Sequence, residues 1–391
     1  MGETPAGHNV FGASEWISSL LARVGISADS KQVGHLALVL LVAVVSLPPL
    51  LLAAWSGTAW GSAVDIPFLH DASALARLFA VVPILIIASG AIGMQLGNAM
   101  QYLESSSLIP DSEMPEYEEA KADLGRRANS LWIELLLLVV ALLLPWIAMR
   151  WFPMLDPRSD LSTWASGSSG GTTLSAAGWW FGMVSRPLVG FFLLLWAWRY
   201  IAWGLFLRRV GKLELAILPA HPDGVGGLNP VTRAHLSFVL IGFAVHAAMS
   251  GALADELLYA GATIVQTGTE IAFFMVISIL ALTAPLVVLV PGMLRAKNQG
   301  LVDYGWLAHN LTGAFDARWA AGGTGLLDSA DPSAMADFGA DYGQVRSMNS
   351  FPLGLQQLGA VGVILLIPFA FLLLTQISLA ELVRAMVKKA F

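Results

Sequence analysis

Apolar residues dominate long stretches of this chain, and the polar residues between them come in short clusters. Crossing roughly 30 Å of hydrocarbon takes about 20 apolar residues in a helix. Six runs qualify: Leu36–Trp55, Leu78–Asn98, Leu131–Met149, Trp179–Leu207, His235–Ala252 and Ile271–Val290. A seventh extends from Leu355 to Thr375. The pattern predicts an all-α polytopic membrane protein of about seven transmembrane helices. Prolines interrupt several of these runs (Pro48, Pro49, Pro83, Pro145, Pro187, Pro285, Pro368). Each removes a backbone N–H, and in a bilayer neighbouring helices must satisfy the carbonyl so freed.

Ahead of the first run, Phe11–Ile26 sets Trp16, Leu20 and Val24 at helical spacing. That is an amphipathic helix, lying either in the membrane interface or against the bundle. The chain divides into an N-terminal interfacial segment (1–35), a six-helix membrane region (36–294), a polar inner segment (295–354), and a final helix with a basic tail (355–391). Within the polar segment, Leu301–Trp319 is expected to be helical and the Gly-, Asp- and Ala-rich stretch after it to be loop. Ser162–Ala176, rich in Gly, Ser and Thr, reads as an outer loop.

Composition agrees with lipid as the solvent. Only 12% of residues are charged and 56% are hydrophobic, against about a quarter charged in soluble domains. The chain holds no Cys, which excludes disulfides, thiolate metal sites and a cysteine nucleophile. A formal charge of −6 argues against a nucleic-acid partner. The first 30 residues show no apolar run of signal-peptide length, so the first membrane helix is expected to act as an uncleaved targeting element. Most of the 21 Lys and Arg fall on one side if the N-terminus is inside, as the positive-inside rule prefers. Seven spans then leave the basic tail, Leu379–Lys389, outside, unless the seventh run is re-entrant.

Ionisable and polar groups at membrane depth are the first functional candidates. His246 and Ser250 lie one turn apart in the fifth run, Glu134 opens the third, and Gln95 and Asn98 sit on the otherwise apolar second. Together they could line a polar path. Arg199 stands among Trp196, Trp198, Tyr200 and Trp203, positioned for cation–π contact. Asp255, Glu256 and Glu270 are expected in the outer loop. The acidic stretch from Glu104 to Asp123 is either a solvated helix face or a cation-attracting mouth.

The most distinctive string is HPDGVGGLNP, His221–Pro230. Pro222, Asp223 and Gly224 have turn chemistry, Gly226 and Gly227 permit close backbone approach, and Asn229–Pro230 suits the start of a helix. Structural punctuation accounts for the whole string; the functional alternative makes His221 and Asp223 a polar pair at a membrane mouth. Two potential ligands do not make a metal site, and no cofactor motif is present.

With SRPL at Ser185–Leu188, WAWRYIAW at Trp196–Trp203 and RSMNSFPLGL at Arg346–Leu355, this string resembles a group of uncharacterised bacterial polytopic membrane proteins. In these an HPDxxGGL loop follows a Trp/Arg-rich helix. The resemblance covers roughly the C-terminal half. It implies a bacterial inner-membrane location and carries over no activity.

Three functions fit the residues. An oligomeric ion channel, a homo-oligomer passing an ion or small solute through a path within or between its subunits, is favoured by the acidic mouth and the small-residue stretch Ser89–Gly93. A secondary transporter is the second, and a membrane-bound assembly or sensory protein, whose long inner segment meets a partner, is the third. No catalytic set for an enzyme is recognisable.

Overall fold

A computed structural model describes residues 31–151, 161–166, 173–320 and 331–372. The amphipathic helix expected at Phe11–Ile26 and the basic tail Leu379–Lys389 lie outside the described residues. The chain is helical: α1 (Lys31–Trp55), α2 (Ala72–Ser105), α3 (Met114–Ala128), α4 (Leu131–Trp151), α5 (Ala176–Val210), α6 (Asn229–Tyr259), α7 (Ile264–Thr283), α8 (Val290–Ala320), α9 (Asp331–Ser347) and α10 (Leu355–Leu372). Among the described residues there is no strand, only an isolated parallel bridge between Ile66 and Thr163. Among the described residues, six helical stretches are long and apolar enough to cross a membrane: α2, α3 running into α4, α5, α6, α7 running into α8, and α10. The first expected span falls on α1, whose described apolar part is Ala43–Trp55. The protein is an all-α polytopic membrane protein.

The outward faces are apolar, as lipid demands. Leu136, Val139 and Leu143 of α4 and Phe273, Val276 and Leu280 of α7 are exposed. The interior is equally apolar, built on Leu78, Ile92, Leu96, Trp203, Phe206 and Leu286.

Proline breaks are sealed from neighbouring helices. Pro48 and Pro49 cannot donate to the carbonyls of Val44 and Val45. Trp180 Nε1 donates to the first at 3.1 Å and Ser185 Oγ to the second at 2.6 Å. Ser46 Oγ likewise reaches Leu78 O at 3.1 Å, within a π-helical turn (Ala76–Val81) that precedes Pro83. Each of these carbonyls thereby finds a donor on a neighbouring helix, the Val45 and Leu78 carbonyls inside the bundle and that of Val44 at its surface.

At one end of the bundle, Asp65 accepts from the backbone and hydroxyl of Ser162 at 2.8 and 2.7 Å. There too the Asp255 carboxylate accepts the N–H groups of Ala72 and Ser73, each at 3.0 Å. Asp255 and Glu256 therefore belong to helix α6 and not to a loop; Asp255 is buried and seats the first turn of α2. The helix continues past the expected span because this carboxylate has backbone donors waiting for it. Glu270 is also helical, within α7.

At the other end, α3 lays Tyr117, Ala120, Leu124 and Ala128 against α5, with Tyr117 edge-on to Phe206. Its acidic face is partly neutralised. Lys121 pairs with Glu104, and Asp123 pairs with Arg127 and Arg209 at 2.7 and 3.3 Å.

A second expectation is corrected. Asp331–Ser347, placed in a loop by its Gly, Ala and Asp content, is helix α9. It packs along α8, which continues the helical stretch begun by α7 beyond the 3₁₀ segment at Pro285. Tyr304 stacks on Phe338 at 6.1 Å, a contact no single-helix reading could anticipate. The 31 residues of α8 span roughly 46 Å at 1.5 Å each, and α8 and α9 form a helical hairpin.

Candidate functional site

The HPDGVGGLNP string folds back on its own aspartate. Asp223 Oδ1 accepts the N–H groups of Val225 (2.9 Å) and Gly227 (3.1 Å), and Oδ2 accepts that of Asn229 (3.1 Å) at the start of α6. His221 Nδ1 lies 2.9 Å from the same carboxylate. Burial pushes the Asp223 carboxyl up, but the N–H groups of Gly227, Val225 and Asn229, together with His221, outweigh it and hold it below the usual carboxylate range. Gly224, Gly226 and Gly227 all take positive φ. At Gly226 a Cβ would stand 2.3 Å from Ile217 Cγ2, so that position needs glycine for space as well as conformation.

This loop seats the hairpin. Asn349 N donates to Gly224 O at 2.8 Å, Gln344 Nε2 to His221 O at 3.2 Å, and Lys297 Nζ to Met348 O at 2.6 Å. Thr232 Oγ1 reaches Pro352 O at 3.3 Å. The distinctive motif thus joins α6, the base of the hairpin and the approach to α10.

The second feature lies at membrane depth, where α7 meets Pro285. Lacking an N–H, Pro285 frees Ala281 O, and the chain tightens into a 3₁₀ segment, Ala284–Leu289. Tyr200 Oη donates to Ala281 O at 2.7 Å and to Leu282 O at 3.1 Å. His235 Nδ1 accepts from Trp203 Nε1 at 3.2 Å, so its Nε2 carries the proton and donates to Leu282 O. Sequence reasoning passed over Tyr200 and His235. The signal was there in Pro285, whose freed carbonyl required a donor from another helix.

Against this break opens a cavity of about 230 Å³ between α5, α6, α7 and α10. Trp196, Tyr200 and Phe238 supply aromatic walls, and Ala281 and Leu282 form the side nearest the break. Ala197, Val245 and Ala281 are exposed at its rim, so it opens sideways, toward lipid. His246 belongs to its wall and is fully buried. Its Nδ1 bonds Gly242 O at 2.8 Å, while Nε2 has no hydrogen-bond partner. The rings of Phe274 and Phe369 cover it at 4.7 and 5.5 Å between centroids.

The other residues expected along a polar path are dispersed. Ser250 donates to Pro368 O at 2.8 Å, sealing a proline-bearing stretch of α10. Glu134 is buried on α4 and acts electrostatically on the buried Arg199 of α5. Arg199 in turn lies 5.2 Å over Trp196, the cation–π contact anticipated from sequence. Gln95 is half-buried and Asn98 exposed on α2. Among the described residues no cluster of His, Asp and Glu could hold a metal ion. No family model, no curated protein and no solved structure matches the chain.

Proposed function

We propose that this integral membrane protein is a sensor: an apolar molecule dissolved in the bilayer enters the lateral cavity, and the α8–α9 hairpin reports its presence outside the membrane. One observation carries the reading. The cavity wall includes Ala281 and Leu282, whose carbonyls are held across the Pro285 break by Tyr200 and His235, and the helix below that break becomes the hairpin. An occupant touching these residues bears on the hinge itself, so it can favour one bend over another. The HPDG loop serves as the seat against which the hairpin shifts.

The placement of the polar residues favours this over a channel. Ser250 is committed to Pro368 O, Glu134 faces Arg199, and Asn98 points outward. In this reading the hairpin is cytoplasmic, because Lys121, Arg126, Arg209 and Lys297 gather at its end of the bundle. The HPDxxGGL resemblance supports a bacterial inner membrane as the location.

The test is hydrogen–deuterium exchange on the purified chain in nanodiscs, comparing wild type with Ala281→Trp, which fills the cavity from its rim. The sensor reading expects changed exchange in Asp331–Ser347 and His221–Asn229. Exchange altered only beside residue 281, with the hairpin and its seat unchanged, would sink it.

A further inference from the structure

The wall of the cavity specifies what kind of molecule fits. Its volume, about 230 Å³, exceeds that of an engineered apolar cavity of about 150 Å³ that binds benzene. Aromatic walls at Trp196, Tyr200 and Phe238 suit an aromatic ring, which packs offset or edge-on against them. His246 then adds one polar requirement. A backbone carbonyl only accepts, so the contact to Gly242 O fixes the proton on Nδ1. In the neutral imidazole, Nε2 is therefore an acceptor, buried and unpartnered. Leaving such a group unsatisfied away from water costs free energy that a donor from a ligand would recover.

Resting on the sensor reading, we propose that the cavity binds a lipid-soluble phenol or hydroquinone head group, whose ring hydroxyl donates to His246 Nε2. The apolar tail leaves through the rim between Ala197, Val245 and Ala281. The Phe274 and Phe369 rings both cover His246, so reaching Nε2 takes a shift of this cover, in which the nearer, half-buried Phe274 ring turns aside, a rotamer change of the kind binding commonly brings. A ring ether or a bare hydrocarbon matches the walls but not the acceptor. The other buried histidine among the described residues, His235, has both nitrogens engaged and offers no competing site.

The experiment titrates 4-hexylphenol and its methyl ether, 4-hexylanisole, into the full chain in nanodiscs by calorimetry, with empty nanodiscs correcting for partition. Wild type is expected to bind the phenol about tenfold more tightly than the ether, one hydrogen bond's worth at about 1.4 kcal/mol per decade. His246→Phe should bind both alike at the ether's affinity, and Phe274→Ala should tighten the phenol. Ala281→Trp and Ala197→Trp, each checked for a monodisperse elution, should lose both. Discrimination under twofold in wild type, or discrimination surviving in His246→Phe, overturns the donor requirement while leaving the cavity as a ligand site. If neither probe binds wild type above empty nanodiscs, the cavity reading beneath it fails as well.

Discussion

Replacing Gly226 with alanine tests the idea that the HPDG loop acts through its shape. Three glycines there have positive φ: +70° at Gly224, +71° at Gly226 and +91° at Gly227. Alanine at any of them pays the left-handed penalty, about 1–2 kcal/mol. Only at Gly226 would the new Cβ also overlap, at 2.3 Å from Ile217 Cγ2 and 3.0 Å from Met348 Cε. Ile217 is β-branched and cannot swing that methyl group away cheaply, so overpacking adds about 1–3 kcal/mol. At Gly227 the nearest atom is Tyr102 Oη at 3.5 Å, ordinary contact. Gly226→Ala should thus cost about 2–5 kcal/mol, and Gly227→Ala and Gly224→Ala less. His221→Ala removes a partly exposed ring and should cost least. The assay is the half-life of monodisperse protein in detergent on heating, since membrane proteins commonly unfold irreversibly and a rate is then the usable quantity. Gly226→Ala surviving as long as Gly227→Ala, or His221→Ala failing first, would refute the argument and favour a chemical role for the imidazole.

Other outcomes follow from the same contacts. Ser185→Ala removes the donor to Val45 O and should destabilise by about 1–3 kcal/mol; in a Pro49→Ala background, where residue 49 regains its N–H, the loss should shrink. Equal losses in both backgrounds would mean that the hydroxyl is not sealing the proline break. Because Asp223 is held below its ordinary range, its contribution is full above the unfolded value of about 3.9 and declines as pH falls through the lower folded value. Heat stability followed downward from pH 5 should therefore fall more steeply in wild type than in Asp223→Asn, and parallel curves would contradict the hydrogen-bonded carboxylate. Arg199→Met leaves the buried Glu134 without its facing cation and should be harsher than the double variant Glu134→Leu with Arg199→Met; a double variant that is worse would show that the two charges do not act together.

The helices were legible because lipid imposes a simple demand, a long apolar run, which composition alone displays. The base of the hairpin was partly legible too, in the periodic apolar positions of Leu301–Trp319. Helix α9 was not, since Gly and Asp in Asp331–Ser347 oppose the helix preference of its Ala residues, and packing on Tyr304 and its neighbours supports the helix. The turn at His221–Asn229 could be read from residue types, whereas its docking partners, Gln344 and Asn349, lie more than a hundred positions away. His246 was noticed as a polar residue at depth, but its tautomer depends on which carbonyl its ring meets. Tyr200 and His235 were hidden for a similar reason: their role exists only beside Pro285.

The central claim, that the Pro285 break couples the cavity to the hairpin, is tested most directly by the distance between spin labels at Glu116→Cys and Asp303→Cys. The chain's lack of native cysteine makes the labelling unambiguous. Asp303 lies roughly 27 Å along the helix from Pro285 at 1.5 Å per residue, so a change of about 10° in the bend moves it by roughly 5 Å. Pulsed dipolar measurements should show that shift on saturation with 4-hexylphenol, and in Tyr200→Phe, where the Ala281 carbonyl loses its donor. Distance distributions that stay superimposable in both cases would contradict the account.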